Sequence, residues 1–197
     1  MLEGNLPISQ ITGELPVSQV PTIPNSKLEN SSVTINGSAV ALGGSTTIAT
    51  GGTNTPAFNV IKTPNQSVSG STSTKVTFNS EKFDSDNKFD TSTSRFTPTV
   101  AGKYFLYAQI NIQAIHDQAT TELDIKKNGS EIASRFKHIA LNSSSDREPS
   151  LYTSCIVDCD TDDYFEVFTY TDMGSGTTIT GDANGFTFFG GYKLIGV

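Results

Sequence analysis

Residues 103–114 alternate with a period of two. Tyr104, Leu106, Ala108, Ile110, Ile112 and Ala114 fall on one face, and Lys103, Phe105, Tyr107, Gln109, Asn111 and Gln113 on the other. That period predicts a long half-buried strand rather than a helix. Residues 120–127 repeat the pattern, with Leu123 and Ile125 against Glu122, Asp124 and Lys126. They run through Asn128-Gly129, a two-residue hairpin signal because both positions accept positive φ, into a strand over 131–139. Further strands are predicted over 150–159, 163–171 and 184–195. No segment carries the period of a three-turn helix. Many short strands with turn residues between them predict an all-β antiparallel sandwich or jelly roll.

The N-terminal part reads differently. Leu6-Pro7-Ile8-Ser9-Gln10-Ile11 recurs as Leu15-Pro16-Val17-Ser18-Gln19-Val20, and more loosely as Ile23-Pro24-Asn25-Ser26-Lys27-Leu28. Proline in each copy opposes helix and interior sheet pairing. One chain cannot bury the aliphatic positions of such a repeat alone, but several chains around a common axis can. Residues 1–30 are therefore read as an extended stalk and virion-anchoring segment, with a disordered linker as the alternative. In 31–55, Ser32-Val33-Thr34-Ile35 and Ala39-Val40-Ala41-Leu42 flank Asn36-Gly37, which predicts a small hairpin collar followed by a Gly-rich joint. Residues 56–197 form the predicted globular head.

Composition narrows the function. Charged residues are 17% of the chain, and the net charge is −7 with scattered basic residues. Nucleic acid and anionic membrane both require clustered positive charge and are not expected partners. No apolar stretch reaches membrane-spanning length, and no secretory signal is visible at the N-terminus. Cys155 and Cys159 fall in one predicted strand, where four residues span about 13 Å. That exceeds the ~7 Å limit for a disulfide, so both are read as small buried residues.

The head resembles the C1q-like family of the complement/tumour-necrosis-factor superfamily. The resemblance runs through Ala57-Phe58-Asn59-Val60, Phe83-Asp84, the stretch from Lys88-Phe89-Asp90 through Arg95-Phe96-Thr97-Pro98 to Gly102-Lys103-Tyr104, then Lys127-Asn128-Gly129 and Thr187-Phe188-Phe189-Gly190-Gly191-Tyr192. It covers roughly residues 56–197. It implies a jelly roll of roughly ten strands, assembled as a homotrimer with aromatic-rich faces between subunits. Tyr104, Leu106, Ile110, Ile112, Phe186, Phe188 and Tyr192 are the expected trimer and core packing residues. The N-terminal repeats and collar depart from the animal family, which carries collagen repeats there. They are similar to segments of bacteriophage tail-fibre and virion fibre proteins. Such a protein reaches the outside by host lysis, so its expected location is the virion.

Candidate chemistry is sparse. His116 and His138 lie far apart in no motif, and neither a nucleophile elbow nor a phosphate loop is present. An enzyme is not expected. Asp84, Asp86 and Asp90 are dense enough in oxygen to be weighed as calcium ligands. However, Lys88 occupies a ligand position, Phe89 replaces the required glycine, and Arg95 stands where the bidentate glutamate belongs. A structural role is preferred there, no cofactor is assigned, and calcium is the alternative. Asp158, Asp160, Asp162 and Asp163 read as turn formation and solubility. Asn142, Asp146, Arg147 and Glu148 mark a long exposed loop, the candidate receptor-binding region. The expected function is a phage virion structural protein, a trimeric fibre whose head contacts a host-surface glycan or protein. Its stalk would dock on another virion protein. The alternatives are a capsid or tail cementing knob and, further off, a fibre-borne depolymerase.

Overall fold

The computed structural model describes residues 13, 22–35, 37–47, 52–113, 119–138, 148–174 and 176–196. The chain divides into two units, residues 1–50 and 51–197. In the first, a 3₁₀ turn at Asn25–Lys27 precedes β1 (Ser32–Ile35) and β2 (Ser38–Ala41). These strands pair antiparallel, Val33 opposite Val40, around Gly37 at φ +79°. Asn36 lies outside the described residues, as does most of the proline repeat.

The described residues of the second unit are all β in their regular structure. Its strands are β3 (Ala57–Ile61), β4 (Gln66–Val68), β5 (Thr74–Lys75), β6 (Ser80–Asp84), β7 (Phe89–Asp90), β8 (Arg95–Phe96), β9 (Gly102–Gln113), β10 (Thr120–Lys127), β11 (Ser130–His138), β12 (Ser150–Cys159), β13 (Phe165–Thr171), β14 (Thr177–Ile179) and β15 (Phe188–Lys193). They form two antiparallel sheets. The seven-stranded sheet runs β4-β14-β9-β15-β3-β6, with β12 on the other edge of β9. The six-stranded sheet runs β11-β10-β13-β8-β7, with β5 also on β13. This is the expected antiparallel jelly roll.

The period of two in β9 sets the inside and the outside. Tyr104, Leu106, Ala108, Ile110 and Ile112 have no solvent exposure. An aromatic cluster joins the sheets across the core. Phe58 of β3 stacks on Phe96 of β8 at 4.0 Å between ring centroids and meets Phe189 of β15 edge-on at 4.9 Å. Phe96 in turn lies 6.3 Å from Phe165 of β13. Such ring pairs contribute about 0.5–1.5 kcal/mol each beyond the area they bury.

Turn chemistry follows the sequence at Asn128-Gly129. Both residues take positive φ, 51° and 80°, and Lys127 pairs with Ser130 across them. Two strands start later than expected by two residues or more. β13 begins at Phe165 because Asp163 is buried as a brace. β15 begins at Phe188 because Asp182 closes a turn on the Gly185 N–H at 2.9 Å. The expected polar face of β10 is also interrupted. Asp124 is buried, flanked in the ladder by Ser134 and Phe168, and the Ser134 hydroxyl donates to it at 2.7 Å.

Candidate assembly face

The odd residues of β9 point away from the core, onto the outer face of the seven-stranded sheet. Phe105 and Tyr107 lie 5.9 Å apart there. Register brings Tyr192 of β15 beside Phe105 at 5.7 Å, and Phe188 of β15 to 6.0 Å from Tyr107. Asn59 of β3 donates its side-chain amide to the Tyr107 hydroxyl at 3.2 Å. On the opposite edge, β12 adds Ile156 opposite Phe105 and Tyr152 opposite Gln109.

Gly190 explains how the Tyr107 ring can lie flat. A Cβ at Gly190 would meet that ring at 2.5 Å. The adjacent Gly191 faces inward, where a Cβ would meet Leu106 at 2.5 Å and the Phe105 carbonyl at 2.9 Å. The glycine pair therefore serves both faces of one strand.

This face is apolar and left open. Ile156 is 64% exposed, Tyr152 47%, and Phe83 of β6, on the same face, 52%. On β9 and β12 the charged residues of this face, Lys103 and Asp158, stand at one end and pair at 2.6 Å. An exposed aromatic surface with charge excluded from its middle has the composition of an interface core.

The expected packing residues divide between two roles. Tyr104, Leu106, Ile110 and Ile112 are core residues, fully buried within one chain. Phe188 and Tyr192 are on the outer face, half-buried, and Phe186 is exposed in the preceding loop. Phe105, Tyr107, Tyr152 and Ile156 were not singled out from sequence. Their signal was an aromatic or aliphatic residue on the face that the period of two assigns to solvent.

Asp84, Asp86 and Asp90 are not brought together. Asp84 accepts the Phe89 N–H at 2.7 Å and the Asp86 N–H at 3.4 Å. The Ser85 hydroxyl lies 3.3 Å from the Asp86 carboxylate. Asp90 accepts the Ser92 hydroxyl at 2.6 Å, the Thr93 hydroxyl at 2.8 Å and the Ser92 N–H at 2.8 Å. Those bonds, the Ser92 hydroxyl first, hold the Asp90 carboxyl down to about 2. The carboxylates that do converge among the described residues are Glu122, Asp124 and Glu131. Burial and then the neighbouring Asp124 raise Glu122. Sequence spacing hid this group because Glu131 comes from the far strand of the hairpin.

The acidic turn after β12 is more than a solubility feature. Asp163 is buried and takes Lys127 at 2.7 Å, the Asn128 amide at 2.6 Å and the Asp160 N–H at 2.6 Å. Burial alone would raise its carboxyl, but the Asp160 N–H, Lys127 and Asn128 together hold it below the usual range. Both cysteines of β12 are free, and burial pushes the thiol of Cys155 up to about 11 and that of Cys159 to about 12. Of the expected receptor loop, Glu148 is exposed, and its carbonyl accepts the Asn111 amide at 3.4 Å. Asn142, Asp146, Arg147 and His116 lie outside the described residues. No described helix is long and apolar enough to cross a membrane.

Comparison with known proteins identifies the fold. The head is similar to the Eiger TNF from S. frugiperda, at 14% identity and a TM-score of 0.56, covering 70% of this chain and 91% of that one. It is similar to the globular domain of the zebrafish complement 1qA protein at 18% identity and a TM-score of 0.50, covering 71% and 97%. Murine APRIL gives 13% identity and a TM-score of 0.52, covering 70% and 98%. No curated protein sequence matches the chain. Domains of this kind are typically non-enzymatic ligand-binding or structural modules, and no enzymatic family is indicated. The C1q domain model matches residues 57–194, and the chain belongs to the C1q domain family.

Proposed function

We propose that the protein is a homotrimeric fibre of a bacteriophage virion, whose C1q head adheres to the host surface. The observation that carries the trimer is the open aromatic face around Phe105, Tyr107 and Tyr192. A single chain leaves that face in water, and a second copy would cover it. The proline repeat and the uncharged collar favour the fibre reading. Three heads on one axis would turn weak individual contacts into strong multivalent binding. A groove lined by Arg135, Ser150 and Tyr152, all exposed, with the buried Leu151 beneath them, offers one cation and one aromatic ring close to Glu148. A surface glycan or an acidic peptide suits such a groove. The N-terminal stalk would attach to another virion protein.

Two measurements test this. Light scattering on the purified full-length protein gives the mass, and three chains are expected. Removal of residues 56–197 from the particle gives the role. Loss of host adsorption with intact particles supports adhesion. Particle instability instead would make the head a cementing knob, and release of reducing sugar from host polysaccharide would make the protein a depolymerase.

A further inference from the structure

The β1–β2 hairpin has two unlike faces. Register places Val33, Ile35 and Val40 on one side, with Ser32, Thr34, Ala39 and Ala41 on the other. Leu42 extends the aliphatic face, since its N–H continues the ladder to the Ser31 carbonyl at 2.9 Å. The Asn25 side-chain amide also donates to the Leu42 carbonyl, tying the 3₁₀ turn to the hairpin. Yet no described residue of this unit is buried. Val33 is 49% exposed and Leu42 37%. A lone two-stranded hairpin is at best marginally stable in water and needs a third layer over its apolar face.

The chemistry of the missing layer is constrained. No charged residue occurs between Glu29 and Lys62, in a chain whose net charge is −7. An uncharged aliphatic face offers a differently charged partner no ion pair. It also lets identical copies approach without like-charge repulsion. We infer that the Val33/Ile35/Val40/Leu42 face packs against the same face of the other two copies, making the collar a second self-association site separate from the head. This rests on the trimeric reading above. Heads held together keep the three hairpins on short uncharged tethers, at millimolar effective concentration.

Cysteine cross-linking of the full-length protein tests it. Val40→Cys places a thiol on the aliphatic face, and Ala39→Cys places one on the opposite face of the same strand. Both are small changes on a surface hairpin. The native thiols are partly or fully buried and raised by burial, so the unmodified chain supplies the background. Under mild oxidation at micromolar protein, tethering concentrates both thiols alike, and only packing of the aliphatic face brings one set into contact, so Val40→Cys should form covalent dimers at least about tenfold faster than Ala39→Cys. A mass of three chains with both variants reacting at the same rate overturns the hairpin contact and leaves head assembly standing. A mass of one chain overturns head assembly, and with it the tethering on which this inference depends.

Discussion

Two glycines and one lysine decide more than their size implies. Gly190 and Gly191 were legible in sequence as a close approach, but what approaches was not. The structure supplies it, a tyrosine ring on one face and a leucine with a backbone carbonyl on the other. The two positions should therefore respond differently to a methyl group. In Gly190→Ala the Tyr107 ring can swing away, so the monomer should lose about 1 kcal/mol while the outer face is disturbed. In Gly191→Ala the Phe105 carbonyl cannot swing, so the loss should reach about 2–3 kcal/mol. Urea midpoints of the two variants check the order, and equal midpoints would contradict it. Lys62 was not legible at all. Its parity with Phe58 and Val60 turns it inward, where its ammonium donates to the Thr77 carbonyl at 2.9 Å and hydroxyl at 2.8 Å. Burial lowers its pKa from 10.5. The unfolded chain then holds the proton more tightly than the folded one, so this group costs stability below the folded pKa, and the cost fades as pH rises towards 10.5. Lys62→Met should match or exceed the parent at pH 7, with the difference moving in favour of the parent by pH 10. A variant much weaker than the parent at pH 7 would show that the Thr77 bonds outweigh the burial cost.

At the scale of elements, the long strands were legible and the short ones were not. β9 announces itself because its 12 residues hold one period throughout. β5, β7 and β8 have two residues each, too few to show any period. They are placed by what they pair with. β13 is held at its start by two carboxylates whose partners lie far away in sequence. Asp163 binds Lys127 and Asn128, and Glu166 binds Lys75 at 2.6 Å and Arg95 at 3.0 Å. Arg95 also lies over the Tyr164 ring at 3.7 Å. For Glu166 burial again raises the carboxyl, and the hydrogen bonds from Lys75 and Arg95 bring it below 4.5. Folded carboxyls with lowered pKa contribute stability that is fully present above their unfolded values, and lose it as pH falls through the folded ones. The parent should therefore weaken as pH drops below about 4. Asp163→Asn leaves Lys127 without its buried partner and should cost about 3–5 kcal/mol at pH 7. Its stability should also fall less steeply between pH 4 and pH 2. Thermal melts across that range check both, and parallel pH curves for parent and variant would refute the role given to Asp163.

For the whole molecule, the decisive surface was only half legible. The period of two correctly separated the faces of β9. However, a face opposite the core is ordinarily solvated, and nothing in one strand shows that its aromatics continue onto β12, β15 and β6. That continuity is tertiary, and so is the exclusion of charge from its middle. It yields the sharpest test of assembly. Ile156 is 64% exposed in one chain, so the folded monomer loses little by its replacement. Ile156→Asp puts a carboxylate on the apolar face, two residues from Asp158 on the same side of β12. Covered by another copy, that carboxylate would be buried without a partner, at a cost of about 2–5 kcal/mol per contact. A 1.4 kcal/mol loss is tenfold in affinity, so assembly should weaken by about 30-fold or more at each contact. Thr72→Asp, in the exposed loop between β4 and β5, adds the same charge as a control. Light scattering over a dilution series should show Ile156→Asp falling towards one chain while Thr72→Asp keeps the parent mass. Unfolding midpoints extrapolated to the monomer should agree within about 0.5 kcal/mol, as expected for exposed positions. If Ile156→Asp keeps the mass of three chains at every dilution, the outer aromatic face is not what joins the copies, and its occupant must be a different molecule.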